Sequence, residues 1–132
     1  MNKYKNLEPA LVGYLKKEEA HPDQLLYFNW FLGKNPDFDE HCEETIAYLT
    51  TKLVKVSAEA ILAWLRNSKV IADKRDKPFK VDNIMKGVLS RYYLFKWGKK
   101  YNLKFKLNPL AYDGTKGPVK LLTGIKMGLY NE

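Results

Sequence analysis

Apolar residues recur at helical spacing over the first half of the chain. The stretches with this pattern, and hence the predicted helices, are 7–19, 24–32, 40–54 and 58–67. His21-Pro22-Asp23 and Asn35-Pro36-Asp37 separate the first three, and Ser57 is a good N-cap for the fourth. The second stretch is apolar nearly all round, which predicts a helix buried in this domain or against a partner.

The spacing of apolar residues changes in the second half of the chain. Residues 81–91 keep the helical spacing, whereas residues 101–107 alternate strictly between apolar and polar, as a half-buried strand does. Gly98-Lys99-Lys100 lies between that strand and the aromatic run 92–97, so a β-hairpin is the natural prediction. Continuing the helix through Trp97 is the alternative, and it places Leu94 and Trp97 on the polar face. We therefore predict the hairpin, preceded by a short strand at 54–56.

Length and composition predict one domain that folds without a disulfide or a structural metal. The chain has 132 residues, of which 45% are hydrophobic and 29% charged, with a single cysteine, Cys42. One cysteine fits a reducing compartment, and no apolar run reaches the roughly 18 residues that span a bilayer. The expected location is therefore the cytoplasm.

The charge is divided unequally between the two halves. Residues 1–66 hold 8 Lys and Arg against 10 Asp and Glu, whereas residues 67–132 hold 15 against 5. A basic half beside a nearly neutral one predicts a polyanionic partner, and DNA is the first candidate.

The order of elements over roughly residues 40–107 resembles a winged helix-turn-helix domain. The resemblance implies a mainly α fold with a small β-hairpin (α+β), preceded by two N-terminal helices. It divides the chain into an N-terminal segment (1–34), a basic winged-helix-like domain (35–108) and a C-terminal arm (109–132). It also implies that helix 81–91 is a recognition helix and Gly98-Lys99-Lys100 the tip of a wing, although the connection 68–80 is longer than is usual in that family.

The expected nucleic-acid-binding residues are mostly cationic and lie on this helix, the wing and their connections. They are Lys74, Arg75, Lys77, Lys80, Asn83, Lys86, Ser90, Arg91, Lys96, Lys99, Lys100, Lys104 and Lys106. Asn83, Lys86 and Ser90 share one helical face from which base edges are within reach. Tyr92, Tyr93 and Trp97 are either core or a surface for stacking on single-stranded bases. Leu26, Phe28, Trp30 and Phe31 either complete the core or form a protein interface.

The sequence shows no pattern typical of an enzyme. It contains no glycine-rich phosphate loop, and the cluster around His41 and Cys42 lacks a second pair of metal ligands. No cofactor, metal or small-molecule substrate is expected. The predicted function is a non-enzymatic nucleic-acid-binding protein, such as an accessory subunit of a DNA replication or recombination complex, or a repressor.

Two alternatives remain at this stage. The first is an adaptor or inhibitor that docks its basic face on an acidic partner protein. The second follows from residues 84–109, which resemble the helical DNA-clamping domain at the N-terminus of tyrosine recombinases. That resemblance requires helix, and no hairpin, through residue 97.

Overall fold

Five helices form the described part of the chain. The computed structural model describes residues 3–53, 55–67 and 83–110, together with Tyr112 and Gly128. The helices are α1 (Pro9–Lys17), α2 (Pro22–Lys34), α3 (Phe38–Lys52), α4 (Ala58–Asn67) and α5 (Asn83–Trp97). The four helices predicted before residue 67 are confirmed to within two residues at each end. The predicted N-cap of α4 is also present, since the Ser57 Oγ accepts the backbone N–H of Ala60 at 3.0 Å.

The predicted hairpin is wrong. Helix α5 continues through Trp97, and neither residues 98–110 nor residues 55–56 form a strand. The α+β fold class, with its wing at Gly98-Lys99-Lys100, is therefore corrected to a helical one for the described residues. The connection 68–80 and most of the C-terminal arm lie outside those residues.

The error came from assuming that α5 buries only one face. Arg91, Tyr92 and Tyr93 are consecutive and all buried, and at about 100° per residue they cover about 200° of the helix. Trp97, whose exposure was the argument against a helix, is only 5% exposed. A helix buried on several sides loses the simple period on which the prediction rested.

Gly98-Lys99-Lys100 follows the C-terminus of α5 and does not form a hairpin turn. The Gly98 N–H donates to the Leu94 carbonyl at 3.0 Å, and the Leu103 N–H donates back to the Gly98 carbonyl at 2.8 Å. A Cβ on Gly98 would lie 2.4 Å from the Leu94 oxygen, so only glycine fits this close approach. Asn102 follows in the left-handed region with φ +52°, a conformation that asparagine tolerates.

The chain divides into two compact units. Unit 1 consists of Met1–Lys34, Val81–Val88 and Asn108–Glu132, and unit 2 of Asn35–Lys80 and Leu89–Leu107. Leucines and phenylalanines that are at most 3% exposed fill the core of unit 1: Leu7, Leu11, Leu15, Leu25, Phe28 and Phe31. The core of unit 2 includes Phe38, Cys42, Ile46, Ile61, Leu65 and Tyr93.

Side-chain hydrogen bonds fix the start of α2 and a loop against it in unit 1. The His21 Nδ1 accepts the Asp23 N–H at 3.0 Å, while the Gln24 side chain accepts the His21 N–H at 2.9 Å. This reciprocal arrangement caps the helix, with Pro22 at its first position. Asn6 donates its backbone and side-chain N–H groups to Asn29 on α2, at 2.7 and 2.9 Å.

Candidate nucleic-acid interface

Two carboxylates on α3 hold the end of α5 and the turn after it. Asp39 accepts the Tyr92 hydroxyl at 2.5 Å and pairs with Lys96 at 3.4 Å. Glu43, one turn further along α3, accepts Lys100 Nζ at 2.5 Å and the Tyr101 hydroxyl at 2.9 Å. Each carboxylate therefore binds one tyrosine and one lysine, and all of these residues belong to unit 2.

The protonation equilibria at Glu43 reflect these contacts. Hydrogen bonds from Lys100 and then Tyr101 lower the pKa of Glu43 below its ordinary value. Its carboxylate in turn raises the pKa of Lys100 and that of Tyr101. At neutral pH the cluster thus contains an ionised carboxylate, an ammonium group and a neutral phenol, which is the combination that favours all three contacts.

The residues after α5 form a basic segment, which we define as residues 98–106. Burial alternates along it, with Leu103 buried and Lys104 and Lys106 exposed. The alternation in the sequence is therefore real, although it belongs to a segment of turns (98–102) and irregular chain (103–106) that forms no strand in the described chain. Lys100 and Tyr101 attach the segment to α3, so its exposed lysines project from an anchored backbone.

The structure separates the predicted cationic residues into groups with different surroundings. Lys96 and Lys100 are exposed but form ion pairs with α3. Lys99, Lys104 and Lys106 are exposed, and none of them pairs with a carboxylate in the described parts of the chain. Arg91 is buried, at 4% exposure, and offers no surface to a phosphate.

The remaining predicted contacts lie on α5 or outside the described residues. Lys86 is exposed and Ser90 half-buried, four residues apart on one face of the helix. Asn83 is the first residue of α5. The predictions for Lys74, Arg75, Lys77 and Lys80 fall in a part of the chain that the structure does not describe.

The aromatic residues of α5 are part of the core. Tyr92, Tyr93 and Trp97 are 3%, 1% and 5% exposed. Tyr92 stacks on Phe38 with ring centroids 6.3 Å apart, and Trp97 meets the Tyr92 ring edge-on at 5.8 Å. Their rings are therefore not available for stacking on nucleic-acid bases, and the core interpretation holds.

The predicted protein interface on α2 is largely interior. Phe28 is fully buried and Phe31 is 3% exposed, so both complete the core of unit 1. Leu26 and Trp30 are half-buried, and the Trp30 ring lies 5.7 Å from that of Tyr27. Only these two of the four predicted residues retain an accessible surface.

The structure describes the surroundings of Cys42 and the grouping of the metal-ligating side chains. Cys42 is fully buried, and burial raises the pKa of its thiol well above the ordinary value, with Asp39 adding to the shift. A thiol in that state is a poor nucleophile. No group of three or more metal-ligating side chains occurs among the described residues.

Removing the Glu43 carboxylate is expected to change the acid sensitivity of the fold. Because its pKa is lowered on folding, ionised Glu43 stabilises the protein above the unfolded-state value, and this contribution is lost as the pH falls through the lowered pKa. In urea unfolding between pH 7 and pH 3, Glu43→Gln should therefore lose less stability than the wild type. Glu44→Gln, which removes the adjacent exposed carboxylate, is the control and should follow the wild type. If the free energies of unfolding of Glu43→Gln and the wild type fell equally between pH 7 and pH 3, the contacts assigned to Glu43 would be contradicted.

Comparison with known proteins gives no relative for this chain. Neither protein-family models nor curated proteins nor solved structures match it. Within the described residues, no helix is both long and apolar enough to cross a membrane.

Proposed function

We propose that this chain is a non-enzymatic nucleic-acid-binding protein of the cytoplasm that contacts phosphates through its basic segment. An accessory subunit of a DNA replication or recombination complex, or a repressor, is the role that suits such a protein. The observation that carries the proposal is the anchored backbone of the segment. Lys99, Lys104 and Lys106 are exposed on it, while Glu43 holds the neighbouring Lys100.

This arrangement suits binding to a polyanion. Lysines bind phosphates as point charges, and each phosphate contact releases counterions from the nucleic acid. Anchoring by Lys100 and Tyr101 lowers the entropy that the segment would lose on binding. The C-terminal half of the sequence adds a large excess of basic residues, 15 Lys and Arg against 5 Asp and Glu over residues 67–132. Such contacts position a nucleic acid without reading its sequence.

The continuous α5 also agrees with one resemblance noted in the sequence. The likeness of residues 84–109 to the DNA-clamping domain of tyrosine recombinases requires helix through residue 97, and α5 ends at Trp97. This supports a clamp that contacts the nucleic-acid backbone and carries no active site of its own.

Fluorescence anisotropy tests the proposal directly. Labelled single-stranded and duplex 30-mers are titrated with the full chain between 50 and 300 mM salt, and unlabelled duplex is then added as competitor. We expect micromolar or tighter binding at 50 mM salt that weakens steeply as salt is raised. Absence of binding to both probes at 50 mM salt would overturn the proposal. An acidic partner protein for the same lysines would then become the alternative, since it also depends on charge.

A further inference from the structure

Unit 2 exposes a pair of aromatic rings away from its core. Tyr48 on α3 and Trp64 on α4 are each 43% exposed, and their ring centroids lie 4.8 Å apart with a tilt of 33°. Leu53, also 43% exposed, completes the exposed large apolar side chains of the described chain. Large flat rings that remain in water while touching each other are typical of a binding surface.

Trp64 lies at the edge of the buried face of α4. Ile61, Leu62 and Leu65 form the buried face of α4. At about 100° per residue, Trp64 lies about 60° outside the arc that these three residues define. A helical pattern of apolar residues does not separate a residue at the edge of the buried face from one at its centre, so the sequence alone does not show that Trp64 is exposed.

A cationic side chain borders the aromatic pair. The Lys52 Nζ lies 5.7 Å from the centroid of the Tyr48 ring, and Lys52 is exposed. Exposed rings with an ammonium group beside them match the chemistry of a nucleotide, in which a base presents a π-face and the phosphate presents negative charge.

We propose that Tyr48 and Trp64 form a stacking platform for the bases of a single-stranded nucleic acid, with Lys52 placed to contact its phosphate. Bases in a duplex are already stacked and paired, so only an unpaired base has a face free for these rings. The proposal rests on the proposed function and deepens it, because it names a single strand as the preferred ligand.

The platform and the basic segment are separate surfaces of unit 2. Glu43, which holds Lys100, and Tyr48 are five residues apart on α3, which places them about 140° apart around the helix and about 7.5 Å apart along it. A single-stranded nucleic acid that reaches both surfaces passes around α3. Either surface can therefore be removed by substitution without removing the other.

The test uses the full chain and a twelve-nucleotide oligothymidylate, dT12, at 50 mM salt. Trp64 is the most exposed of the three tryptophans, since Trp30 is half-buried and Trp97 buried. We expect dT12 to quench the tryptophan fluorescence of the wild type. The affinity for dT12 should fall about tenfold in Trp64→Ala and in Tyr48→Ala, as expected for the loss of one stacked base. Trp64→Phe, which keeps an aromatic ring, should retain most of the affinity.

Two further variants distinguish base stacking from other causes of a change in the affinity for dT12. Leu53→Ala removes an equally exposed apolar side chain that has no ring, and its affinity for dT12 should equal that of the wild type. Glu44→Gln removes an exposed carboxylate one turn before Tyr48 and should tighten binding of dT12, whereas docking of an uncharged apolar partner would be indifferent to it.

The outcomes distinguish this proposal from the one on which it rests. If Trp64→Ala and Trp64→Phe both bind dT12 as tightly as the wild type does, the platform is wrong and the proposed function stands. If the wild type binds neither dT12 nor duplex, both are wrong. If Trp64→Ala instead abolishes self-association in sedimentation velocity and leaves dT12 binding unchanged, the pair is an interface between copies of this chain and the platform is overturned.

Discussion

Replacing Trp97 with alanine is expected to lower the free energy of unfolding by about 3–5 kcal/mol, the usual cost of removing a large buried aromatic side chain. Trp97 is 5% exposed at the end of α5 and packs edge-on against Tyr92. The substitution therefore removes a large core side chain together with its edge-on contact to Tyr92. Urea unfolding followed by circular dichroism measures the effect.

Trp64→Ala is the matched control for that experiment. Trp64 is 43% exposed, and its loss removes mainly its contact with the Tyr48 ring, worth about 1 kcal/mol. If the two substitutions cost the same free energy, the assignment of Trp97 to the core would be wrong. The helical course of α5 through residue 97 would then lose its main support.

Replacing Lys99, Lys104 and Lys106 together with glutamine is expected to flatten the salt dependence of nucleic-acid binding. Each phosphate contact on a single strand contributes about 0.7 to the slope of log affinity against log salt, so three contacts contribute about 2. Between 50 and 200 mM salt, the wild type should then lose about 20-fold more affinity than the variant. Anisotropy titrations of a single-stranded 30-mer across this range provide both slopes.

A second triple variant controls for net charge. Lys16, Lys17 and Lys34 are exposed lysines of unit 1, and their replacement with glutamine removes the same total charge from a different surface. This variant should keep the wild-type slope. Equal slopes for both triple variants would show that binding follows total charge and does not depend on the basic segment.

The sequence was sufficient to predict helices that bury a single face. Residues 58–67 show this most clearly, because Ser57 caps the helix and Ile61, Leu62 and Leu65 are buried, although Trp64, which belongs to the same apolar pattern, is 43% exposed. Local signals of this kind depend on neighbouring residues alone. They do not require knowledge of which distant element covers the helix.

The sequence was insufficient where burial depends on distant elements. Tyr92 packs against Phe38, more than fifty positions away, and Trp97 packs against Tyr92. This tertiary packing overrides the β-propensity of an aromatic run. The same limit applies to the lysines. Nothing in the local pattern distinguishes Lys100, which pairs with Glu43, from Lys99, which does not.

The sequence did not identify the exposed aromatic pair for the same reason. It left Tyr92, Tyr93 and Trp97 as either core or stacking residues, and all three are buried, whereas the exposed ring pair is Tyr48 and Trp64. The signal for an exposed pair was weak, because Tyr48 and Trp64 are sixteen positions apart and meet only through the packing of α3 against α4.

Binding of nucleic acid at the basic segment is tested best by a chemical-shift titration. The ¹⁵N-labelled full chain is titrated with a single-stranded 12-mer at 50 mM salt, and the backbone amide signals are followed. The largest shifts are expected on residues 98–106 and around the aromatic pair Tyr48 and Trp64, all of unit 2, with smaller ones on α1 and α2. Shifts concentrated on α1 and α2, or no shifts at saturating oligonucleotide, would contradict binding at the basic segment.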